Sequence, residues 1–226
     1  MAALRLNKTH FCAQYQDDKA LKMSSSTFAR FVIDKKTICK SDVVMEWGCG
    51  SGRDCAYLAP HCNKYIAVDI ATPDMLKKSE QFNRENVEYR TDDFCSLSPE
   101  STKLNVIYSR FTLHSVTKKA ASDALKWASA NLVKGGLILI EARSVKDELY
   151  GKGKQDEEDE DAFVVSSGID GGAHFRRFVD LQKLKKQLEA QHFLILHAED
   201  KRGLSFVEKD GKIDDPSLVR VFAQRM

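Results

Sequence analysis

Residues 43–54 read VVMEWGCGSGRD. The first five, Val43–Trp47, are apolar except for Glu46, which is typical of a buried β-strand. Glycines follow at positions 48, 50 and 52, and they allow the backbone to turn tightly with no Cβ between it and a ligand. A short helix is then predicted over 54–59, ending at Pro60. The stretch therefore predicts a strand, a glycine turn and a helix in succession.

The same alternation of apolar runs and helical periodicity continues to residue 142 and resumes near the C-terminus. The predicted strands after the first are 65–69, 87–90, 105–108, 137–140, 192–198 and 218–224. The predicted further helices are 25–35, one opening at Thr72, one over 121–132 closed by Gly135 and Gly136, and one through Leu181, Leu184 and Leu188. This order predicts an α/β fold: a single doubly wound, mostly parallel seven-stranded sheet with helices on both faces.

Two segments interrupt the alternation, and they define the predicted domain organisation. Residues 1–40 are a polar lead-in with a cap helix, and 41–226 form the main domain. A long insertion lies at about 143–178; its run of acids, Asp156 to Asp161, is predicted to be a solvated, mobile tip.

Composition excludes several function classes. The chain has 226 residues, of which 42% are hydrophobic and 30% are charged, so it is not disordered as a whole. A net charge of +2 does not suit a chain built mainly to coat nucleic acid, and no apolar run approaches the length that spans a bilayer. None of the six cysteines forms a C-x-x-C pair. We therefore expect a cytoplasmic protein with no membrane partner.

Acidic residues at the ends of three strands indicate the ligand. Glu46 lies two residues before Gly48, where it would repel a phosphate, and the G-x-G-x-G spacing differs from the pyrophosphate-binding G-x-G-x-x-G. Asp69 ends the second strand, where an acid can accept both hydroxyls of a ribose. Asp92-Asp93-Phe94 follows the third strand and could hold an adenine, although both acids could equally be turn or capping residues. An adenosine bearing cationic groups, S-adenosylmethionine (SAM), fits these features.

The stretch from Val43 to Ala142 resembles a class I SAM-dependent methyltransferase. The resemblance rests on Glu46-x-Gly48-x-Gly50-x-Gly52, on Asp69, on Thr91-Asp92-Asp93-Phe94 and on Leu132-Val133-Lys134-Gly135-Gly136-Leu137, where Lys134 replaces the usual proline. It implies the strand order 3-2-1-4-5-7-6 and the fold over about residues 24–226. It also implies the roles of individual residues. The implied cofactor contacts are Tyr15, Ser26, Glu46, Gly48, Gly50, Arg53, Asp69, Ile70, Asp92, Asp93, Phe94 and Ser109.

Within that resemblance, Gly48 and Gly50 would line the methionine moiety and Asp69 the ribose. Asp92 and Phe94 would hold the adenine, with Asp93 as a substitute for Asp92. Arg53 would lie near the SAM carboxylate. Tyr15 and Ser26 belong to a lead-in similar to the helix that caps the cofactor pocket in related enzymes.

The segment after the fourth strand, Ser109 to Ser115, should lie beside the transferred methyl group. It lacks an Asn/Asp-Pro-Pro-aromatic motif and does not begin with an acid, so neither DNA-amine methylation nor a metal site is predicted. His114 is the candidate base or acceptor-binding group, and a core or capping histidine is the alternative. A dedicated base is optional, because alignment contributes more to such a displacement than proton removal does.

A second cluster of candidates comprises Arg143 and Asp147, just past the fifth strand, and His174 to Phe178 at the far end of the long insertion. Arg143, Arg176 and Arg177 could converge with Arg110 into a forked anion site, or could form ordinary salt bridges. His174 and Arg177, in His-x-Arg-Arg-Phe, are the other predicted catalytic residues. Together with this element, the stretch Glu141-Ala142-Arg143-Ser144-x-x-Asp147-Glu148-Leu149-Tyr150 is similar to small methyltransferases encoded beside bacterial surface-sugar pathways. That resemblance implies a small, anionic acceptor of the sugar or phospho-sugar type.

Three alternatives remain open. Val68-Asp69-Ile70-Ala71 with a histidine after the fourth strand also occurs in RNA cap guanine methyltransferases, so nucleic acid is disfavoured but not excluded. A nicotinamide-binding oxidoreductase is disfavoured by the glycine spacing and by Glu46. A module that binds SAM without catalysis is the third. The acceptor atom and the oligomeric state are left open.

Overall fold

The computed structural model describes residues 24–71, 84–166, 173–209 and 212–226. Seven strands form the central sheet: β1 Val43–Trp47, β2 Lys64–Asp69, β3 Val87–Thr91, β4 Leu104–Arg110, β5 Leu132–Arg143, β9 Phe193–Lys201 and β12 Leu218–Arg225. Two small sheets lie outside it, one of β6 Lys154–Gln155, β7 Ala162–Ser166 and β8 Ala173–Arg177, the other of β10 Val207–Lys209 and β11 Lys212–Asp214.

The central sheet has the order β3-β2-β1-β4-β5-β12-β9. Strands β1 to β5 are parallel, whereas β12 runs antiparallel to both β5 and β9. The predicted α/β class and the mostly parallel seven-stranded sheet are therefore confirmed. The five strands of the small sheets were not predicted, and they change the numbering of the last two strands.

Helices cover both faces of the sheet. They are α1 Thr27–Asp34, α2 Arg53–Leu58, α3 Lys118–Asn131 and α4 Leu181–Ala190, with 3-10 turns at Ala59–His61 and Leu113–Ser115. Because side chains alternate along a strand, Val44 of β1 packs with α1 and α2, while Met45 and Trp47 pack with α3 and α4. The helix predicted to open at Thr72 lies outside the described residues. No helix in the described ranges is long and apolar enough to cross a bilayer.

The prediction that Gly135 and Gly136 close α3 is wrong. Helix α3 ends at Asn131 and β5 begins at Leu132, so both glycines belong to the strand. A Cβ on Gly136 would lie 3.0 Å from the carbonyl oxygens of Asn105 and Val133. The glycine is therefore explained by close backbone packing rather than by a helix cap.

The connection 143–178 carries more structure than was predicted. Tyr150, Phe163 and Phe178 pack edge to face, with ring centroids 5.3 to 6.0 Å apart. Asp161, at the end of the acidic run, is buried and accepts hydrogen bonds from the Tyr150 hydroxyl at 3.0 Å and from Lys183 Nζ at 2.7 Å. The prediction of a solvated tip is thus wrong for Asp161, while Glu157, Glu158 and Glu160 are exposed.

Candidate functional site

The loops after β1, β2, β3 and β4 meet at the carboxyl edge of the sheet, where α/β sheets bind ligands. Residues 48–52, the glycine turn, hold the left-handed conformation at Gly48, Gly50 and Gly52, with φ of 70°, 51° and 74°. The N–H groups of Gly48 and Cys49 donate to the Val68 carbonyl at 2.8 and 3.1 Å, and Gly50 N–H donates to Asp69 Oδ2 at 2.9 Å. These bonds fix the glycine turn against the end of β2.

Gly48 also makes room for the loop after β4. An added Cβ would lie 2.2 Å from Thr112 Cγ2, so the position requires a glycine for space as well as for backbone conformation. Thr112 belongs to residues 111–116, the β4 turn, and its hydroxyl is hydrogen-bonded to that of Ser109. The glycine turn and the β4 turn are therefore packed directly on each other.

Glu46 is a buried carboxyl under the glycine turn. It accepts a hydrogen bond from the Tyr65 hydroxyl at 2.9 Å and is 3% exposed. Burial, with smaller contributions from Asp54 and Asp69, raises the pKa of Glu46 to about 8. At neutral pH this carboxyl is mostly protonated, and a cationic ligand would favour its ionised form.

The carboxyl groups at the end of β2 and just after β3 are tied into turns. Asp69 accepts from Ala71 N–H at 2.8 Å in addition to Gly50, and Asp92 N–H donates to the Asp69 carbonyl at 3.1 Å. Asp92 Oδ1 accepts from Asp93 N–H at 2.8 Å and Asp93 Oδ1 from Cys95 N–H at 2.9 Å. Both acids thus have the turn role that the sequence left open, and each carboxylate has further acceptor capacity.

The predicted adenine-side aromatic residue takes part in the core. Phe94 stacks on Trp47, with ring centroids 5.4 Å apart and an angle of 22° between the ring planes. It is 9% exposed. One face of its ring is therefore used in packing under β1.

Asp54 is a central residue of the site that the sequence analysis did not assign. Its carboxylate accepts from Ser26 N–H and Ser26 Oγ, both at 2.7 Å, and from the Tyr108 hydroxyl at 2.8 Å. Ser26 Oγ in turn accepts from Ala29 N–H at 3.0 Å and caps α1. Through Asp54, the start of α1 is attached to α2 and β4, beside the glycine turn.

The β4 turn presents His114 in a cationic environment. His114 is buried, and its Nδ1 accepts the Arg143 N–H at 3.1 Å. Burial, together with the charges of Arg176, Arg143, Arg110 and Arg177, holds the pKa of His114 well below its usual range. These four residues, the arginine cluster, all act electrostatically on the one histidine.

Phe111 links Arg110 to His114. It has φ of 58°, a strained value for a residue with a side chain, of the kind found at functional sites. Its ring lies 4.0 Å from the Arg110 guanidinium carbon and 5.1 Å from the His114 ring centroid. The Phe111 ring therefore contacts both the Arg110 guanidinium and the His114 ring.

Two other candidate residues lie on β8. Arg177 donates from Nη2 to the Leu113 carbonyl at 2.9 Å and from Nε to the Val116 carbonyl at 3.2 Å, so its guanidinium holds the β4 turn in place. His174 is buried on the same strand, opposite Val165 of β7. Neither contact tests the catalytic roles predicted for these residues.

The remaining arginines differ in how their charges are balanced. Arg143 Nη1 donates to both carboxylate oxygens of Asp147, at 3.1 Å to Oδ1 and 3.0 Å to Oδ2, which is the salt-bridge alternative. Arg110 and Arg220 instead share one buried carboxylate, Glu141, at 2.9 and 2.6 Å. Arg110 Nη2 is buried and has no hydrogen-bond partner among the described residues.

Most of the predicted site residues come together at this edge. Tyr15 lies outside the described residues, Arg53 is at the start of α2 with Nε 3.9 Å from Asp54 Oδ1, and Ile70 follows β2 half-buried. Asp54, Thr112, Glu141 and Arg220 were missed. Glu141 and Arg220 could have been identified from the sequence as a buried pair. Each is a charged residue inside an apolar strand, and such residues are seldom buried without a partner.

The residues present fit S-adenosylmethionine. The glycine turn offers backbone with no Cβ, Asp69 adjoins it with acceptor capacity for hydroxyls, and the buried carboxyl of Glu46 favours a cation over a phosphate. In the described ranges, no three His, Cys, Asp or Glu side chains are arranged to hold a metal ion.

The comparisons agree with this geometry. Residues 44–136 match the family model described as a methyltransferase domain. A search of curated protein sequences found no match to the chain.

Solved structures share the fold across nearly the whole chain. A SAM-dependent methyltransferase from Methanosarcina mazei has a TM-score of 0.70 at 16% identity, covering 86% of this chain and 97% of that one. One from Clostridium acetobutylicum has a TM-score of 0.65 at 17% identity, covering 96% and 98%. The 1,6-didemethyltoxoflavin-N1-methyltransferase of Burkholderia thailandensis, with 1,6-didemethyltoxoflavin and S-adenosylhomocysteine bound, has a TM-score of 0.64 at 16% identity, covering 99% and 88%.

At these identities the structural likeness shows the fold, and the family match shows the chemistry of its central part. Residues 44–136 therefore match a methyltransferase domain, and the chain has the fold of SAM-dependent methyltransferases. The predicted reaction class and cofactor are confirmed.

Proposed function

We propose that this SAM-dependent methyltransferase acts on a small anionic acceptor of the sugar or phospho-sugar type, in the cytoplasm and without a metal. One observation carries the proposal: Arg110 and Arg220 share a single buried carboxylate, and Arg110 Nη2 has no acceptor within the part of the chain that the structure describes. A buried guanidinium N–H that lacks an acceptor is costly, so a ligand that supplies one is favoured.

The surroundings of Arg110 favour an anion over a neutral group. The two arginines and Glu141 carry a net charge of +1, and the guanidinium of Arg177 is bonded to carbonyls rather than to a carboxylate. Arginine suits this task because its planar fork matches carboxylate and phosphate oxygens. The Burkholderia thailandensis neighbour, which holds a small-molecule acceptor, supports the size class.

The cofactor would be held on the other side of the β4 turn. We assign Gly48 and Gly50 to the methionine moiety, Glu46 to its cationic end and Asp69 to the ribose. Asp92, Asp93, Phe94 and Ile70 would surround the adenine, and Ser26, Arg53, Ser109 and Tyr15 would close the pocket. These roles follow the resemblance in the motifs and the positions at the edge of the sheet.

S-adenosylmethionine supplies a methyl group on a sulfonium, which is already activated for transfer. The work left for the protein is alignment and exclusion of water, and alignment can contribute ~7–11 kcal/mol to lowering the barrier. Thr112 packs on Gly48, so the β4 turn brings the acceptor side against the cofactor side. Arg177 holds that turn through the Leu113 and Val116 carbonyls.

Arg110→Met tests the proposal. Its side chain retains much of the packing of arginine but has no charge and no donor. We expect KM for the acceptor to rise by about 10- to 100-fold, as for the loss of one charge-assisted hydrogen bond, with Kd for S-adenosylmethionine changed less than twofold. The acceptor is identified beforehand by mass, from a fractionated cell extract incubated with isotopically labelled SAM. A neutral or cationic acceptor, or loss of SAM binding in the variant, would contradict the proposal.

Lys119→Met is the matched control. Lys119 is also a cation, but it lies on the exposed surface of α3 and pairs with Asp123 at 2.6 Å. It should leave both constants unchanged, which separates a local effect at Arg110 from a change in net charge.

A further inference from the structure

We infer that His114 acts as a neutral hydrogen-bond donor rather than as a base, and that the atom methylated is an oxygen that arrives already ionised, as in a carboxylate or a phosphate. This rests on the proposed function and goes beyond it. The proposed function requires only that the acceptor have an anionic group at some position. In the present inference, that anionic group is itself the nucleophile.

The hydrogen bond at Nδ1 sets the tautomer of His114. Nδ1 accepts the backbone N–H of Arg143 at 3.1 Å in the interior of the protein. A neutral imidazole has one donor and one acceptor nitrogen, so the proton lies on Nε2. Among the described residues, no group forms a hydrogen bond with Nε2 of His114. Its N–H is therefore available to donate to an acceptor molecule.

A second proton on His114 would be strongly opposed. It would place Nδ1–H against the Arg143 N–H and leave that buried N–H without its acceptor. The charged groups that face the ring are the four members of the arginine cluster, from β4, β5 and β8. Two carboxylates in this region are engaged by arginines, Glu141 by Arg110 and Arg220 and Asp147 by Arg143. Asp159 and Asp161 act on Arg177.

The consequence is a restriction on the acceptor. A neutral hydroxyl must lose a proton during methylation, and His114 is not placed to take it. An oxyanion has no proton to lose, and the arginine cluster keeps a carboxylic or phosphoric acid ionised. In the step, a lone pair of the oxygen forms a bond to the methyl carbon, the carbon–sulfur bond breaks, and its electron pair stays on sulfur. The anion and the sulfonium neutralise each other, and no proton is released.

The protonation state can be measured without turnover. Ring-nitrogen NMR of the full chain, with His114 assigned by comparison with His114→Gln, should show Nε2 protonated and Nδ1 unprotonated from pH 5.5 to 9. A midpoint of titration between pH 6 and 8 would overturn the inference. This readout holds even if substitutions at His114 lower stability.

His114→Gln supplies a kinetic test. Its amide can place a donor near the position of Nε2–H but cannot act as a base. We expect kcat to remain within about tenfold and the pH profile of kcat to keep its shape, whereas loss of a general base costs roughly 10²–10⁴-fold. A loss in that range would overturn the inference.

The linkage in the product separates the two possible sources of the oxyanion. If hydroxide releases the labelled methyl group as methanol, the methylated group is a carboxylate. If the label withstands hydroxide and is released only by a phosphodiesterase, the methylated group is a phosphate. An anionic product with a methyl ether or N-methyl group would overturn this inference and leave the proposed function standing. A product with no anionic group would overturn both.

Discussion

Replacing Glu46 with Gln should remove most of the pH dependence of S-adenosylmethionine binding. Glu46 is buried beside Asp54 and Asp69, and its pKa is raised to about 8. A sulfonium and an ammonium next to it favour the carboxylate, so binding should be accompanied by loss of the Glu46 proton. Gln has the same shape and is permanently neutral.

The size of the effect follows from the pKa. With a value of about 8, the ionised fraction is about one hundredth at pH 6 and about one half at pH 8. If the cofactor binds only the ionised form, the apparent Kd is the intrinsic Kd divided by that fraction. Kd of the wild-type protein should therefore fall about 50-fold between pH 6 and pH 8.

Calorimetric titration at pH 6, 7 and 8 measures this change. The amino group of the cofactor also titrates near pH 8, but it does so equally with both proteins, so the ratio of their Kd values isolates Glu46. Buffers with different ionisation enthalpies should show nearly one proton released per cofactor by the wild type at pH 6 to 7, and fewer by the variant.

Tyr65→Phe is the matched control. It keeps the ring but removes the hydroxyl whose hydrogen bond to Glu46 lowers the carboxyl pKa. The pH profile of binding should then shift to higher pH. If wild type and Glu46→Gln give parallel Kd profiles, Glu46 does not ionise on binding and the reasoning is refuted.

Two further predictions concern stability, measured by urea unfolding. Gly48→Ala should lower the free energy of unfolding by roughly 2–4 kcal/mol through strain and overpacking. Adding Thr112→Ser removes the Cγ2 that lies 2.2 Å from the new Cβ and should restore part of that loss. Full additivity of the two changes would show that the two side chains do not touch. Glu141→Gln should lower the free energy of unfolding by about 3–5 kcal/mol because it leaves two buried guanidinium groups without their carboxylate. The control Asp123→Asn, in an exposed ion pair, should lower it by less than about 1 kcal/mol. Equal losses would contradict the shared role of Glu141.

The strands and glycine turn could be predicted because their signals are local. Val43–Trp47 is an apolar run followed by alternating glycines, and a backbone that must adopt positive φ at three places leaves few other choices of residue. Gly135 and Gly136 show the limit of that reasoning. Glycine after a helical pattern usually marks a helix cap. Here the carbonyl of Asn105 on β4 lies so close to Gly136 that it leaves little room for a Cβ.

The cofactor side of the site was more predictable than the acceptor side. Glu46 and Asp69 lie in the last two residues of a strand and Asp92 directly follows one, so their position in the sequence is also their position at the edge of the sheet. Asp54, Glu141 and Arg220 gain their roles from partners 28 to 79 residues away along the chain. No spacing pattern in one sequence reports such contacts.

For this protein, the order of residues alone determined the sheet, the glycine turn and the kind of cofactor, because each depends on conformational preferences within a few neighbouring positions. Tertiary structure decided which charges are balanced. Arg143 is paired with Asp147, Arg110 shares Glu141 with Arg220, and Nδ1 of His114 is occupied by a backbone amide. Electrostatic interactions depend on separation in space and on burial, and both arise only when distant segments are packed together.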